Sequence, residues 1–261
     1  MILDPDDIQK IGKNRVPEYV WLRKEYKDIE TAARNGNFVC LKYLIKEYGI
    51  NINAANDALY SSIRCGHLII VQYLIEKHGV DIHKDNNFAL QLSVRCGHLN
   101  VVKYLVNEQG ANIHRDTNSI LQLSIKCGYT EIVKYLIEQG ADIHADNESI
   151  VYYSISRGHL NIVQYLIERG IDIHAKYNLA IQWAAEYGHL DIIKYLTEYC
   201  VGITNMYNIH LGVVKYLIIH GSSRINSNTS YDYTLQWELS NIHLDIIKYL
   251  IEFDKFNGFI G

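Results

Sequence analysis

A Tyr-Leu pair returns along the chain at Tyr43-Leu44, Tyr73-Leu74, Tyr104-Leu105, Tyr135-Leu136, Tyr165-Leu166, Tyr195-Leu196, Tyr216-Leu217 and Tyr249-Leu250. The steps between them are 30, 31, 31, 30, 30, 21 and 33 residues. A near-constant period of this length describes a stacked array of short units rather than one globular core. The composite unit reads Asn-x-x-Leu-Gln-x-Ser-x-x-x-Gly-His-Leu-x-Ile-Val-x-Tyr-Leu-Ile-Glu-x-Gly-Ala-Asp-Ile-His.

One copy, residues 87–114, shows what such a unit folds into. Asn87 is placed to cap a helix over Phe88 to Cys96, with Leu90, Ser93 and Val94 on one face. Gly97 supplies the helix stop that only glycine enters cheaply. His98 and Leu99 turn the chain into a second helix whose apolar stripe is Val101, Val102, Leu105 and Val106. Gly110 ends that helix, and Ala111-Asn112-Ile113-His114 leads into an extended finger. Two short antiparallel helices cannot bury both their faces alone. Stacking on neighbouring copies completes the core, which is why such arrays need several copies.

The segments Gly97-His98-Leu99-Asn100-Val101-Val102-Lys103-Tyr104-Leu105 and Gly140-Ala141-Asp142-Ile143-His144 resemble the ankyrin repeat's outer-helix entry and exit. The resemblance covers roughly residues 29–252. It implies an all-α ankyrin-repeat solenoid of about eight stacked helix-turn-helix copies, one lacking its inner helix, with short fingers. The family's usual Thr-Pro-Leu-His is absent, in keeping with only two prolines, Pro5 and Pro17, both ahead of the repeats. Asn56, Asn87, Asn118 and Asn178 stand where a cap is needed and can replace Thr as side-chain acceptors. The short, proline-poor, Tyr-Leu-rich style looks like the ankyrin proteins that giant amoeba-infecting DNA viruses carry in many copies.

Residues 1–28 are expected to cap the first copy, with short helices around Ile8 to Ile11 and Tyr19 to Tyr26. The repeats fill 29–252, degenerate near 200–217 and 222–252, and 253–261 form a short tail. Between Leu196 and Leu217 the missing residues are those of an inner helix, since Asn205 to Asn208 are too few to replace it. A notch or kink is expected there. The last copy has Ile242 where Gly is expected and Glu238 at a normally small buried position, as a worn terminal cap would.

Apolar residues make up 48% and charged residues 21%, a balance that excludes disorder, and the net charge of -4 gives no global pull toward nucleic acid. The acidic start Met1-Ile2-Leu3-Asp4-Pro5-Asp6-Asp7 lacks a signal peptide's basic region, and no stretch is apolar enough to span a bilayer. The chain is expected to be soluble, intracellular (in the host cytoplasm if viral), not secreted, and a monomer.

Twelve histidines raise the question of a metal. Ten occupy two repeat positions: His67, His98, His159, His189, His210 and His243 in the His-Leu step, and His83, His114, His144 and His174 after the finger. Equivalent positions in stacked copies lie about 10 Å apart, whereas zinc ligands must converge within about 2 Å of one ion. The first set reads as hydrogen-bonding turn residues, the second as an exposed ladder, and no metal or cofactor is expected. Resemblance adds that the ladder position is often Asn in this family and can be hydroxylated by a 2-oxoglutarate oxygenase. Asn53 alone keeps Asn there. Cys65, Cys96 and Cys127 share one repeat position, too far apart for a disulfide and with no catalytic partner in sight. The recurring Tyr, eight of 21 tyrosines, is read as a ring between outer helices with its hydroxyl in water.

In ankyrin proteins, partner contacts come from the finger tips and from the residues before the helix-ending Gly on the concave face. Here those helix positions give Arg34, Arg64, Arg95, Lys126 and Arg157, and the fingers add Lys84 and Arg115. Glu186 and Tyr187 end the run. The seven form either a partner-contacting basic stripe or a solvated surface offset by Asp85 and Asp116.

Catalytic triads, Walker-type loops and His-Glu-x-x-His are all absent, so an enzyme is not expected. The leading reading is a non-enzymatic module that binds a protein partner, acidic if the stripe is used. Within that class stands an adaptor recruiting targets to a ubiquitin ligase, as some viral ankyrin proteins do, though too few residues follow the last copy for an F-box. Nucleic-acid binding through the stripe is disfavoured by the sequence pI of about 6.3 and by the lack of aromatics interleaved on that row. A drifting paralogue without a partner remains the fourth reading.

Overall fold

In a computed structural model of the protein, residues 28–83, 87–114, 119–144, 147–173, 177–200, 210–214 and 233–257 are described. All described regular structure is helical, with no strand among the described residues. The chain divides into two compact units, Met1–Asp116 and Thr117–Gly261. The expected 1–28 cap, apart from Asp28, and the Asn205 to Asn208 segment lie outside the described residues.

Among the described residues the first unit holds three helix pairs: α1 (Ile29–Arg34) with α2 (Phe38–Tyr48), α3 (Ile52–Cys65) with α4 (Leu68–His78), and α5 (Phe88–Arg95) with α6 (Leu99–Asn107). The first, or inner, helices pack in a row, α1 on α3 and α3 on α5, and outer helix α4 packs on α6. Leu59 and Ile63 of α3 meet Ile70, Val71 and Leu74 of α4 in a core from which water is excluded. Each such side chain contributes about 1.5–3 kcal/mol when fully buried.

The turn between paired helices is built twice over. Gly66 sits at φ +76, and its successor's amide, His67 N–H, donates to Ser62 O while Ser62 Oγ donates to Leu59 O. The same bonds recur at His98 and Ser93, and in the second unit at His159 and Ser154. The imidazole then reaches the preceding copy: His67 Nε2–H donates to Arg34 O at 3.0 Å and His98 to Arg64 O at 2.9 Å. Each ring lies flat against the preceding copy's glycine, so that a Cβ on Gly36 or Gly66 would come within 2.6 or 2.5 Å of it. Glycine is therefore required here for space as well as for φ.

The described residues of the fingers contain no strand. His83, His114 and His144 each donate their backbone N–H to the carboxylate or amide oxygen two residues earlier, on Asp81, Asn112 and Asp142. These are side-chain-closed turns, and the three His side chains are exposed as expected.

The asparagine caps are a correction. Asn56 and Asn178 lie inside helices, and Asn118 lies outside the described residues. Asn87 does precede its helix, but at φ +58 its side chain donates to Asn112 O instead of capping. The working caps are Asp28, Asn37 and Asn51, whose oxygens accept from Thr31, Cys40 and Ala54 amides. Hydrogen bonding from the Thr31 side chain, and then from its amide, also holds the Asp28 carboxyl below its usual range.

The tyrosine expectation is half right. Tyr104, Tyr135 and Tyr165 are buried between outer helices, but Tyr104 gives its hydroxyl to Glu76 of the preceding copy and Tyr165's is buried without a partner. Burial and the Glu76 charge push Tyr104 up to about 12.

The second unit repeats the plan with α7 (Ser119–Cys127) and α8 (Thr130–Glu138), α9 (Asn147–Ser156) and α10 (Leu160–Glu168), and α11 (Tyr177–Glu186) and α12 (Leu190–Tyr199). Inner helices α7, α9 and α11 pack in order, as do outer helices α8, α10 and α12. It then departs from helix-turn-helix. Residues 210–214 form a short helical stretch, and α13 (Tyr233–Phe256) runs as one 24-residue helix that packs on α12. With Ile242 in place of Gly there is no left-handed stop, and the two expected helices fuse. The residues from 253, expected as a tail, are helical through Phe256, and Asp254 is core.

His210 is the second departure. It is fully buried rather than a turn residue: Tyr177 O–H donates to its Nε2 at 2.7 Å, and its Nδ1–H donates to Asp254 Oδ1 at 2.8 Å. The chain of bonds ties α11 to α13 through residues 210–214. Burial, outweighing the Asp254 carboxylate, keeps the His210 pKa below its ordinary value, and burial does the same for His78 and His159.

A histidine whose pKa is lower folded than unfolded binds its proton preferentially in the unfolded chain. The stability it contributes is present above the unfolded pKa, about 6.5, and is lost as the pH falls toward the folded value. Urea unfolding followed by circular dichroism should therefore give a midpoint that is flat just above neutrality and drops as the pH falls below about 6.5. A midpoint that rises on acidification would contradict the burial of these three rings.

Candidate functional site

The inner helices pack on the outer helices and on one another, and the residues expected to meet a partner lie at or near their C-terminal ends. In the first unit Arg34, Arg64 and Arg95 end α1, α3 and α5, which pack side by side. Arg34 is paired with Glu30 of its own helix, a carboxylate that also accepts from Ser61 Oγ. Arg64 and Arg95 are exposed and make no ion pair among the described residues. In the second unit Lys126 is half-buried near the end of α7 and Arg157 is exposed just past α9. Lys84 and Arg115 lie outside the described residues.

Asn53 is exposed, as a modifiable residue must be. It lies, however, in the first turn of α3, while His83 and His114 lie in side-chain-closed turns. The finger between α2 and α3 is shortened to Gly49, Ile50 and Asn51, so Asn53 shares the ladder's place in the period but not its conformation. The cysteines form no disulfide among the described residues, and Cys200 is fully buried with its thiol pushed up to about 12 by burial. Among the described residues no three His, Cys, Asp or Glu side chains converge where a metal could sit.

The open face of the second unit carries something the sequence reading passed over. Lys126 Nζ stands 3.9 Å above the Tyr153 ring. Tyr152 meets Tyr153, Trp183 and Tyr187 edge to face, with centroids 5.4, 5.1 and 6.4 Å apart, and its hydroxyl bonds that of Tyr187 at 2.9 Å. The Trp183 indole N–H donates to no described residue. All four rings are partly exposed. The absence of aromatics beside the basic row, expected from sequence, therefore does not hold here. The period did contain the clue: Tyr152 replaces the Gln of Gln91, Gln122 and Gln182, and Tyr153 and Trp183 replace Leu92 and Leu123.

Comparison with known proteins bears on what such a face does. The profile of the family described as ankyrin repeats (3 copies) matches residues 29–117, 70–147 and 121–209. The chain belongs to the ankyrin-repeat family. Ankyrin repeats are protein-interaction modules, and no catalytic family is shown for this one. Among solved structures, the human ASB11 ankyrin repeat domain matches with a TM-score of 0.55 and 22% identity, over 68% of this chain and 85% of that one. At that identity the likeness establishes the shared ankyrin fold. No curated protein sequence matches the chain. No described helix of this ankyrin protein is long and apolar enough to cross a membrane.

Proposed function

We propose that this ankyrin protein is a non-enzymatic scaffold that binds an acidic protein partner on the open face of its inner helices. The observation that carries the reading is that Arg64 and Arg95 end adjacent inner helices exposed and, among the described residues, without an ion-pair partner. Paired charges on a surface contribute little to a fold; unpaired like charges held side by side disfavour it and gain from an incoming carboxylate. Lys126 and Arg157 repeat the arrangement in the second unit, and Glu186 marks where it stops.

The test is affinity capture by the full chain against a chain carrying Arg64→Glu, Arg95→Glu and Lys126→Glu, both shown helical by circular dichroism. At the exposed Arg64 and Arg95 such changes leave stability within about 0.5 kcal/mol, and the urea midpoint of the triple variant shows whether the half-buried Lys126 costs more, so that a loss of capture by a folded chain is read as a lost contact. The same acidic protein retained by the wild type and lost by the variant supports the proposal. Equal retention by both overturns the role of these cations.

A further inference from the structure

The ring cluster of the second unit brings tyrosine, tryptophan and a cation together on its inner helices. Tyr, Trp and cationic side chains are the residues on which binding energy concentrates, because they offer a large rigid area with a polar edge. Here four rings from α9, α11 and the residue after it are ordered by contact with one another, so little conformational freedom remains to be lost on binding. Lys126 is held in place on Tyr153, and its outer side faces solvent with no carboxylate against it among the described residues. Trp183 adds an N–H donor that no described residue uses. The groups are donors and ring faces, and Arg157 adds a second cation that is exposed and makes no ion pair among the described residues.

We propose that Lys126, Tyr152, Tyr153, Trp183 and Tyr187 form the anchor point of the partner interface, and that it takes a segment carrying a carboxylate beside an aromatic or prolyl side chain. The carboxylate pairs with Lys126 and the flat side chain lies on Tyr152 and Trp183. This rests on the binding reading above and adds to it the chemistry of the bound segment. Arginine- or lysine-rich segments are disfavoured because Lys126 already occupies the Tyr153 face.

The experiment selects a displayed library of random linear peptides against the full chain and against Lys126→Glu, Trp183→Ala and Trp183→Phe chains, each checked for its helical content. The wild type should enrich peptides with Asp or Glu next to Pro, Tyr, Phe or Trp. Trp183→Ala should weaken the enriched peptides by about thirtyfold, as loss of a central anchor does, while Trp183→Phe retains most of the binding. Lys126→Glu should reverse the charge preference of the selected peptides from acidic to basic. Enriched peptides bound equally by all four chains would overturn the anchor while leaving a binding face elsewhere. Enrichment of nothing by any folded chain would overturn the anchor and count against the binding reading as well.

Discussion

A Gly158→Ala chain is expected to lose about 2–4 kcal/mol of stability, and Gly140→Ala only about 1 kcal/mol. Both glycines have positive φ, +73 and +91, so alanine pays a similar conformational cost at each. They differ in what a Cβ would meet. At Gly140 nothing lies within 4 Å, whereas at Gly158 the His189 ring stands 2.6 Å away, fixed by its bond to the Ser156 carbonyl at 3.1 Å. The methyl group must displace the ring from that bond or strain the turn. Urea unfolding of the two variants reads the difference directly. Equal costs would mean that the histidine does not lock one copy onto the next, and that these glycines are kept for φ alone.

The second large effect is expected at Asp254. Removing one member of a buried, charge-assisted pair costs about 3–5 kcal/mol because it strands the other. Asp254→Ala leaves the His210 Nδ1–H without an acceptor in a site from which water is excluded. In a repeat protein each copy is stabilised mainly by its neighbours, so the loss should be felt locally. Hydrogen exchange is expected to accelerate in α12 and α13 while α7 to α10 keep their protection. Paired with His210→Ala, the two substitutions should cost clearly less together than the sum of each alone, with a coupling of about 0.5–3 kcal/mol. Independent effects, or an Asp254→Ala chain within about 0.5 kcal/mol of wild type, would show that the bond does not hold the C-terminal helix.

Much of this was legible in the sequence because the deciding residues act within one period. Gly66, Gly97 and Gly158 stop helices in every described copy where they recur, and the stripe of Ile70, Val71 and Leu74 is buried as its spacing requires. What was misread depends on departures from the period. Asn51 caps α3 in place of Asn56 because the shortened finger lets the helix begin one turn earlier. His210 and His243 look like their counterparts, yet each follows Ile rather than Gly, at Ile209 and Ile242. With Ile242 in place of glycine α13 runs uninterrupted, and His210 is buried in the core rather than set in a turn. The aromatic anchor was missed for the opposite reason. Its members occupy ordinary helix positions, and only α9 and α11 packing side by side brings Tyr152 to Trp183.

The most direct measurement of the account is the affinity of the captured partner for single variants of the two helix rows. Arg64→Ala, Arg95→Ala, Lys126→Ala and Trp183→Ala alter the open face of the inner helices. Lys103→Ala, Lys134→Ala and Lys194→Ala each remove one positive charge from the outer helices, as the Arg64, Arg95 and Lys126 variants do from the inner ones. Binding lost through the first group and kept by the second is the result predicted. Binding lost through the outer-helix variants, with the inner-helix group unchanged, would contradict the claim that the inner helices present the binding face.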